Sequence, residues 1–312
     1  MTVATIAWDA LAEGPAEYRT PAKRPSLEEA KEWCKKLAAS HYENFHVATF
    51  FLPKKVRPHF ESIYAYCRVS DDLGDEVGDP ETATALLEAW GAMLDECYDA
   101  PRNSRHPVFI ALHETIVSTG VPRELFANLL RAFRQDQVKT HYESFEELME
   151  YSQDSANPVG RLVLWVCGYR EESLNLLSDK VCTALQLANF WQDVVEDDQR
   201  GRRYLPASEM LHFGVTDQQI AERRFTAEFW LLMQSLVEST RTMLQEGGAI
   251  SSHVDKDLAA TLDLFRKGGD AILDAVESQG FDVLRKRPEV SKMKRVRLLA
   301  SAVGDKLRST FS

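Results

Sequence analysis

The strongest chemical pattern in the chain is Tyr64-Ala-Tyr-Cys-Arg-Val-Ser-Asp-Asp-Leu-Gly-Asp-Glu76. On a helix, residues three and four apart share a face. Tyr64, Arg68, Asp71 and Asp75 therefore form one stripe, with Asp72 and Glu76 a second acidic pair one residue round. Four carboxylates within six positions repel one another unless a cation lies among them. A later stretch, Asn189-Phe-Trp-Gln-Asp193-Val-Val-Glu196-Asp197, repeats the pattern, with Asn189, Asp193 and Asp197 spaced by four. If the two helices face each other, their oxygen ligands converge. Such a site suits a hard divalent cation, and Mg²⁺ prefers a few carboxylates plus substrate phosphates to an all-protein cage. Metal at that place neutralises the charge that develops on a departing diphosphate. Arg68, Arg200, Arg202 and Arg203 are available for direct contacts to it. Loss of diphosphate leaves a carbocation, which needs an apolar, dry cavity. Aromatic faces stabilise cations at close range, and Phe45, Tyr64, Tyr66, Tyr151, Phe190 and Trp191 are candidates. Acidic pairs on helices are usually solvated, and each aromatic taken singly is more often plain core. What lifts both stripes above that reading is their setting in the apolar runs 63–67 and 184–191, where an unpartnered carboxylate is costly.

The positioning elements follow from periodicity and capping signals. Residues 1–25, with Pro15, Pro21 and Pro25, are expected to form a loosely ordered arm. Ser26-Leu-Glu-Glu29 reads as a capping box that opens a helix to about Ser40. Pro53 is placed to open the helix that runs to Glu76 and carries the first stripe. Further helices are expected over 81–98, 106–118 with Gly120 closing, and 122–138. A long helix over 144–167 should break near Asn157-Pro158, and 171–198 carries the second stripe. Helices over 225–246, 255–279 and 290–307 complete the chain. No alternating strand pattern of useful length occurs. The expectation is an all-α protein, with residues 26–312 forming a single helical bundle around a central hydrophobic cavity.

Composition narrows the function. The chain has 312 residues, 44% hydrophobic and 27% charged, as in an ordinary globular protein. A net charge of −11 argues against general nucleic-acid binding. Five cysteines without a CxxC pair read as free thiols in a reducing compartment, so a cytoplasmic location is expected. The N-terminus lacks the basic-then-apolar pattern of a signal peptide, and no apolar run is long enough to span a membrane. Arg285–Arg297 holds seven basic residues against Glu289. It reads as a solvated helix end, with peripheral contact at the inner membrane face as the alternative. Gly-rich dinucleotide loops, a P-loop, GxSxG and HExxH are all absent from the sequence.

The motifs together resemble the squalene/phytoene synthase family. The marks are Tyr64-Ala-Tyr-Cys-Arg-x-x-Asp-Asp-x-x-Asp-Glu76, Tyr151 with Val159-Gly160-Arg161, and Asn189-x-x-x-Asp193-x-x-x-Asp197 followed by Gly201-Arg-x-Tyr204-Leu-Pro206. They extend from about His41 to Pro206, with weaker similarity beyond. The resemblance implies an isoprenoid-synthase fold, dependence on Mg²⁺, and a channel for long prenyl chains. It implies Asp71, Asp75, Asn189, Asp193 and Asp197 as Mg²⁺–diphosphate ligands, with Asp72, Glu76 and Glu196 behind them. Arg68 and Arg203 would contact diphosphate, with Tyr204 beside it, and Tyr151 and Gln186 would lie near the reacting carbons. Tyr66, Asn157 and Gln186 are the candidates for positioning a water.

Condensing members of the family carry a pattern like His-Ser-Lys-Ser-Phe near the first helix. Here the segment is His41-Tyr-Glu-Asn-Phe45, with Glu43 and Asn44 in place of the lysine and second serine. An acid at that point repels a diphosphate. With Ser155-Ala-Asn-Pro-Val-Gly-Arg161 and Ala188-Asn-Phe-Trp-Gln-Asp193, the wording resembles the bacterial branch that makes hydroxysqualene for hopanoid biosynthesis. That branch implies presqualene diphosphate as substrate, water rather than hydride as the terminating reagent, and no NADPH. The implied pathway neighbours are a presqualene diphosphate synthase and a hydroxysqualene oxidoreductase. The rival readings are a condensing synthase acting on farnesyl or geranylgeranyl diphosphate, and a non-catalytic lipid-binding or assembly factor of the same fold.

Overall fold

A computed structural model of the chain describes residues 10–41, 52–298 and 300. Phe45, Glu43 and Asn44 lie outside the described residues, as do residues 301–307 of the helix expected over 290–307. Among the described residues helix is the only extended regular structure, with no strand; a lone bridge joins His141 and Arg203. The helices are α1 (Leu27–His41), α2 (Arg57–Asp75), α3 (Pro80–Asp99), α4 (Pro107–Thr119), α5 (Arg123–Gln135), α6 (Phe145–Ser155), α7 (Asn157–Cys167), α8 (Glu172–Gln192), α9 (Val194–Gln199), α10 (Ala207–Phe213), α11 (Asp217–Ala221), α12 (Ala227–Gly247) and α13 (Lys256–Ser278). A short helix also spans 292–298. The chain falls into two compact units. The first takes residues up to Val138 with Arg161–Arg170; the second takes Lys139–Gly160 and everything from Glu171 onward.

In the first unit α2 is the central helix, packed against α1, α3, α4 and α5. Its apolar face buries Phe60, Ile63, Tyr66, Val69 and Leu73. These recur at three and four residues, which is why this stretch is a helix with one face inside. The Ser26 capping box forms as expected: the Glu29 carboxylate accepts from the Ser26 backbone N–H at 2.7 Å. Gly120 ends α4 in the left-handed region at φ 67°, where a side chain would be strained.

Two expectations for this unit are corrected. The helix carrying the first stripe begins at Arg57, not at Pro53, and Pro58 occupies its first turn. Residues 10–25 are not a loose arm. Leu11 and Tyr18 are 0% and 1% exposed, and Gly14 lies against Leu73 and Leu86. The prolines that suggested a loose chain shape a packed one, because two buried anchors offset the ordering entropy.

In the second unit α8 is the central helix, packed against α6, α12 and α13. The expected break near Asn157 falls at Ala156, so 144–167 becomes α6 and α7. The helix carrying the second stripe also breaks: α8 ends at Gln192 and α9 starts at Val194. Gly247, at the end of α12, approaches α8 so closely that a Cβ there would lie 2.9 Å from the Leu177 carbonyl oxygen and 2.9 Å from the Val181 nitrogen. Backbone atoms cannot move aside as a side chain can. Gly268, inside α13, has nothing within 4 Å of a built Cβ.

The two glycines should respond to alanine in opposite directions. Gly268→Ala gains about 0.5–1 kcal/mol from reduced unfolded-state freedom. Gly247→Ala loses roughly 1–3 kcal/mol through overpacking. Urea unfolding of both variants checks this, and equal shifts of the same sign would contradict the packing described.

Candidate active site

The first stripe sits in the C-terminal half of α2. Asp72 is 1% exposed, and its carboxylate is shared between the Tyr18 hydroxyl and the Arg68 guanidinium. Arg68 Nε donates to Asp72 Oδ2 at 2.9 Å, and Nη2 pairs with Oδ1. The same guanidinium lies 3.4 Å from Asp71 and 3.4 Å from Glu76. Arg68 is thus the cation that the packed carboxylates require. Asp71 stays about half accessible at 46%, and Asp75 is exposed. Tyr64 is half-buried on the same face.

Tyr66 does not belong to this site. It is 0% exposed, stacked on Trp90 and edge-on to Phe109 and Phe126, and its hydroxyl donates to the Phe126 carbonyl at 3.1 Å. Its position two residues from Tyr64 puts it on the core face of α2, and with its one O–H donor committed it does not hold a water for the reaction.

The second stripe survives the break between α8 and α9. Asp193 N–H donates to the Asn189 carbonyl at 2.9 Å and Asp197 N–H to the Asp193 carbonyl at 2.8 Å, so the four-residue register continues. Asn189 is exposed; Asp193 and Asp197 are half-buried. Burial first, and the Asp193 charge second, push the Asp197 carboxyl up to about 7. Glu196 Oε2 is buried with no hydrogen-bond partner. Asp193 itself is held by Arg287, whose Nε lies 2.5 Å from Oδ1 and Nη2 3.1 Å from Oδ2. Arg287 also donates to Gln192 Oε1 at 3.2 Å, while Gln192 Nε2 donates to the Pro288 carbonyl at 2.5 Å. Sequence reasoning missed this arginine because it lies 94 residues from its partner in a segment that reads as solvent-facing.

Beside the second stripe stands a wall of rings. Phe190 stacks on Tyr204 with centroids 3.7 Å apart and planes 4° off parallel. Tyr151 and Tyr142 complete the group, at 6.2 Å and 5.7 Å from Tyr204. Tyr151, Phe190 and Tyr204 were expected near substrate; Tyr142 was not, since nothing in its own spacing marks it. Gln186 hydrogen-bonds Ser155 Oγ at 2.8 Å, tying α8 to the end of α6. Asn157 is 7% exposed and accepts from Thr183 Oγ1 at 2.8 Å, which makes it a brace at the start of α7. Trp191, another ring candidate, is 0% exposed and donates to Thr240 Oγ1, so it is core. Arg203 is 13% exposed and committed to Asp198 and Asp217. Its task in this arrangement is to fix the loop between α9 and α10.

The donor set fits a hard cation. Among the described residues no three acidic, histidine or cysteine side chains hold a metal by themselves. Mg²⁺ takes only one or two carboxylates and completes its shell with water and phosphate oxygens. Asp71 and Asp75 in the first unit, and Asn189, Asp193 and Asp197 in the second, offer such oxygens; in the second stripe the unpartnered Glu196 oxygen and the raised Asp197 carboxyl mark a place short of positive charge.

Comparison with known proteins bears on the same residues. The family model described as Squalene/phytoene synthase matches residues 38–294, which includes both stripes. The chain belongs to the squalene/phytoene synthase family. Squalene synthase HpnC from Alicyclobacillus acidocaldarius is 40% identical, with a TM-score of 0.77 over 87% of this chain and 98% of that one. A chloroplastic phytoene synthase 1 of Solanum lycopersicum is 29% identical over 90% of this chain and 69% of its own length. A dehydrosqualene synthase crystallised with a ligand shares the fold, with a TM-score of 0.81 at 24% identity over 91% of this chain and 98% of its own. Family membership makes the all-α isoprenoid-synthase fold and prenyl-diphosphate chemistry of the head-to-head type the settled part of the reading. No helix among the described residues is long and apolar enough to cross a membrane.

The Asp197 carboxyl generates a pH prediction. Its pKa in the fold exceeds the unfolded value, so its protonation favours folding below about pH 4 and that contribution is lost as pH rises through about 7. Asp197→Asn removes the loss. Without metal, the variant should gain roughly 1–2 kcal/mol over the parent at pH 8, allowing for partial solvation. The gap should close towards pH 5. Calorimetry across that range in chelator checks it; a gap independent of pH would show that Asp197 is not strained by its surroundings.

Proposed function

We propose that this family member is a hydroxysqualene synthase acting on presqualene diphosphate, with both acidic stripes serving one Mg²⁺-bound diphosphate and residues 26–312 working as one catalytic domain around a central hydrophobic cavity. The observation that carries the choice is the segment His41–Phe45, where Glu43 and Asn44 stand in place of the condensing members' lysine and serine. The geometry adds support. Arg68 is spread over Asp71, Asp72 and Glu76, and Arg203 is taken by Asp198 and Asp217. With each of these two guanidiniums already matched by carboxylates, neither stands ready for a second diphosphate.

The reaction in this reading begins with departure of diphosphate, which leaves with the bonding pair of its C–O bond. Mg²⁺, when bound by Asp71, Asp75, Asn189, Asp193 and Asp197, supplies charge neutralisation for that group. The remaining cyclopropylcarbinyl cation rearranges. The ring faces of Tyr151, Phe190 and Tyr204 suit an adjacent cation. Water then adds to the cation and releases a proton, giving hydroxysqualene and diphosphate without any hydride donor. Gln186, which hydrogen-bonds Ser155 Oγ from α8, is a candidate for orienting such a water.

Purified protein with Mg²⁺ and presqualene diphosphate, without NADPH, should yield hydroxysqualene by mass spectrometry. Asp71→Ala and Asp193→Ala should each lower kcat at least 100-fold, since each removes a charge needed in the transition state. Squalene or dehydrosqualene as the sole product would reject the assignment. Equal turnover of farnesyl diphosphate alone would favour the condensing alternative, and no turnover of any prenyl diphosphate would favour a lipid-binding role.

The substrate is a lipid, and the helix over 292–298 exposes Met293 at 64% and Val296 at 63% among Lys292, Arg295 and Arg297. We place any membrane contact there. Sedimentation with phosphatidylglycerol vesicles should fall several-fold on Met293→Asp/Val296→Asp and in high salt; binding unchanged by either would rule this helix out.

A further inference from the structure

The segment before α1 reaches into the first stripe through one side chain. Tyr18 is 1% exposed, and its hydroxyl donates to Asp72. Burial and that hydrogen bond push the phenol well above its ordinary range, so it remains a donor. Tyr18 is itself fixed from behind. His106 Nδ1 accepts the Val108 N–H at 3.3 Å, which leaves Nε2 to donate to the Tyr18 carbonyl at 3.1 Å. Burial pushes the His106 imidazole down to about 3, so this neutral tautomer holds across the working pH range. Trp33 packs edge-on to the Tyr18 ring at 6.5 Å. Asp72 is too buried to reach a ligand; its work is to grip Arg68 with both oxygens.

We propose that Tyr18 is a positioning residue for Arg68, acting through Asp72, so that this one side chain of the segment before α1 serves diphosphate binding. This rests on the reading of Arg68 as a diphosphate contact. Each donor to a buried carboxylate fixes part of its orientation; removing one loosens it, and a bidentate arginine follows that orientation. Arg68 Nη1, now 3.4 Å from Asp71, moves with that rotation. Tyr18 thus sets where the positive charge stands relative to the exposed acids.

The test is calorimetric binding of inorganic diphosphate in the presence of Mg²⁺ to the full chain. Tyr18→Phe should weaken it about threefold to tenfold. Leu11→Ala lies in the same segment, is buried at 0%, and makes no polar contact with the stripe; it should lose stability yet bind as the parent does. Tyr18→Phe combined with Arg68→Lys should bind no worse than Arg68→Lys alone, because both remove the same geometry. Parental binding by Tyr18→Phe, equal weakening by Leu11→Ala, or penalties that multiply in the double variant would each overturn the proposal. Arg68→Ala separates the two levels. If it leaves diphosphate binding unchanged, the assignment of Arg68 itself fails; if it weakens binding while Tyr18→Phe does not, only the positioning role fails.

Discussion

Ionised carboxylates stacked one helical turn apart repel, and repulsion grows as water is withdrawn from them. Both units meet this constraint. In the first, Arg68 lies among Asp71, Asp72 and Glu76, and Tyr18 helps hold the buried member in place. In the second, Arg287 covers Asp193, while Asp197 relieves the repulsion by holding a proton up to about pH 7. Two different solutions, an internal arginine and a borrowed one, leave the same result: oxygen ligands with unfilled capacity, set on rigid helices.

The helices owe their rigidity to ordinary core packing, and the candidate site groups ride on its edges. Tyr64, Arg68, Asp71 and Asp75 sit on α2 because Ile63, Tyr66, Val69 and Leu73 anchor its other face. The ring group of Tyr142, Tyr151, Phe190 and Tyr204 draws on α6, α8 and the loops around them. A wall assembled from four separate places in the chain keeps its shape only if the loops are pinned. Arg203 does that for Tyr204 by bridging Asp198 and Asp217.

Much of this is legible from spacing. Periodicity marks α2 and α8, the capping box marks α1, Gly120 marks the end of α4, and the acids announce themselves at four-residue intervals. What spacing hides is anything decided by distant chain. Tyr66 and Tyr64 look alike in sequence, yet packing against Trp90 and Phe126 makes one of them core. Proline content suggests a loose start to the chain, but burial of Leu11 and Tyr18 overrides it. Arg203 and Arg287 exchange expected roles: the conspicuous arginine is structural, and the inconspicuous one meets the acid stripe. Local pattern reports which residues can do chemistry; only tertiary neighbours report which of them are already occupied.

The strap that brings Arg287 to Asp193 has a practical bearing on anyone shortening the protein. Ser278, where α13 ends, looks like a natural place to stop, since a basic stretch with only a short helix over 292–298 follows it. Cutting there would strip Asp193 of its guanidinium, uncap Gln192 from the Pro288 carbonyl, and remove Lys294 from Asp274. A trimmed chain would keep every carboxylate of the two stripes and still surround those of the second with a different charge.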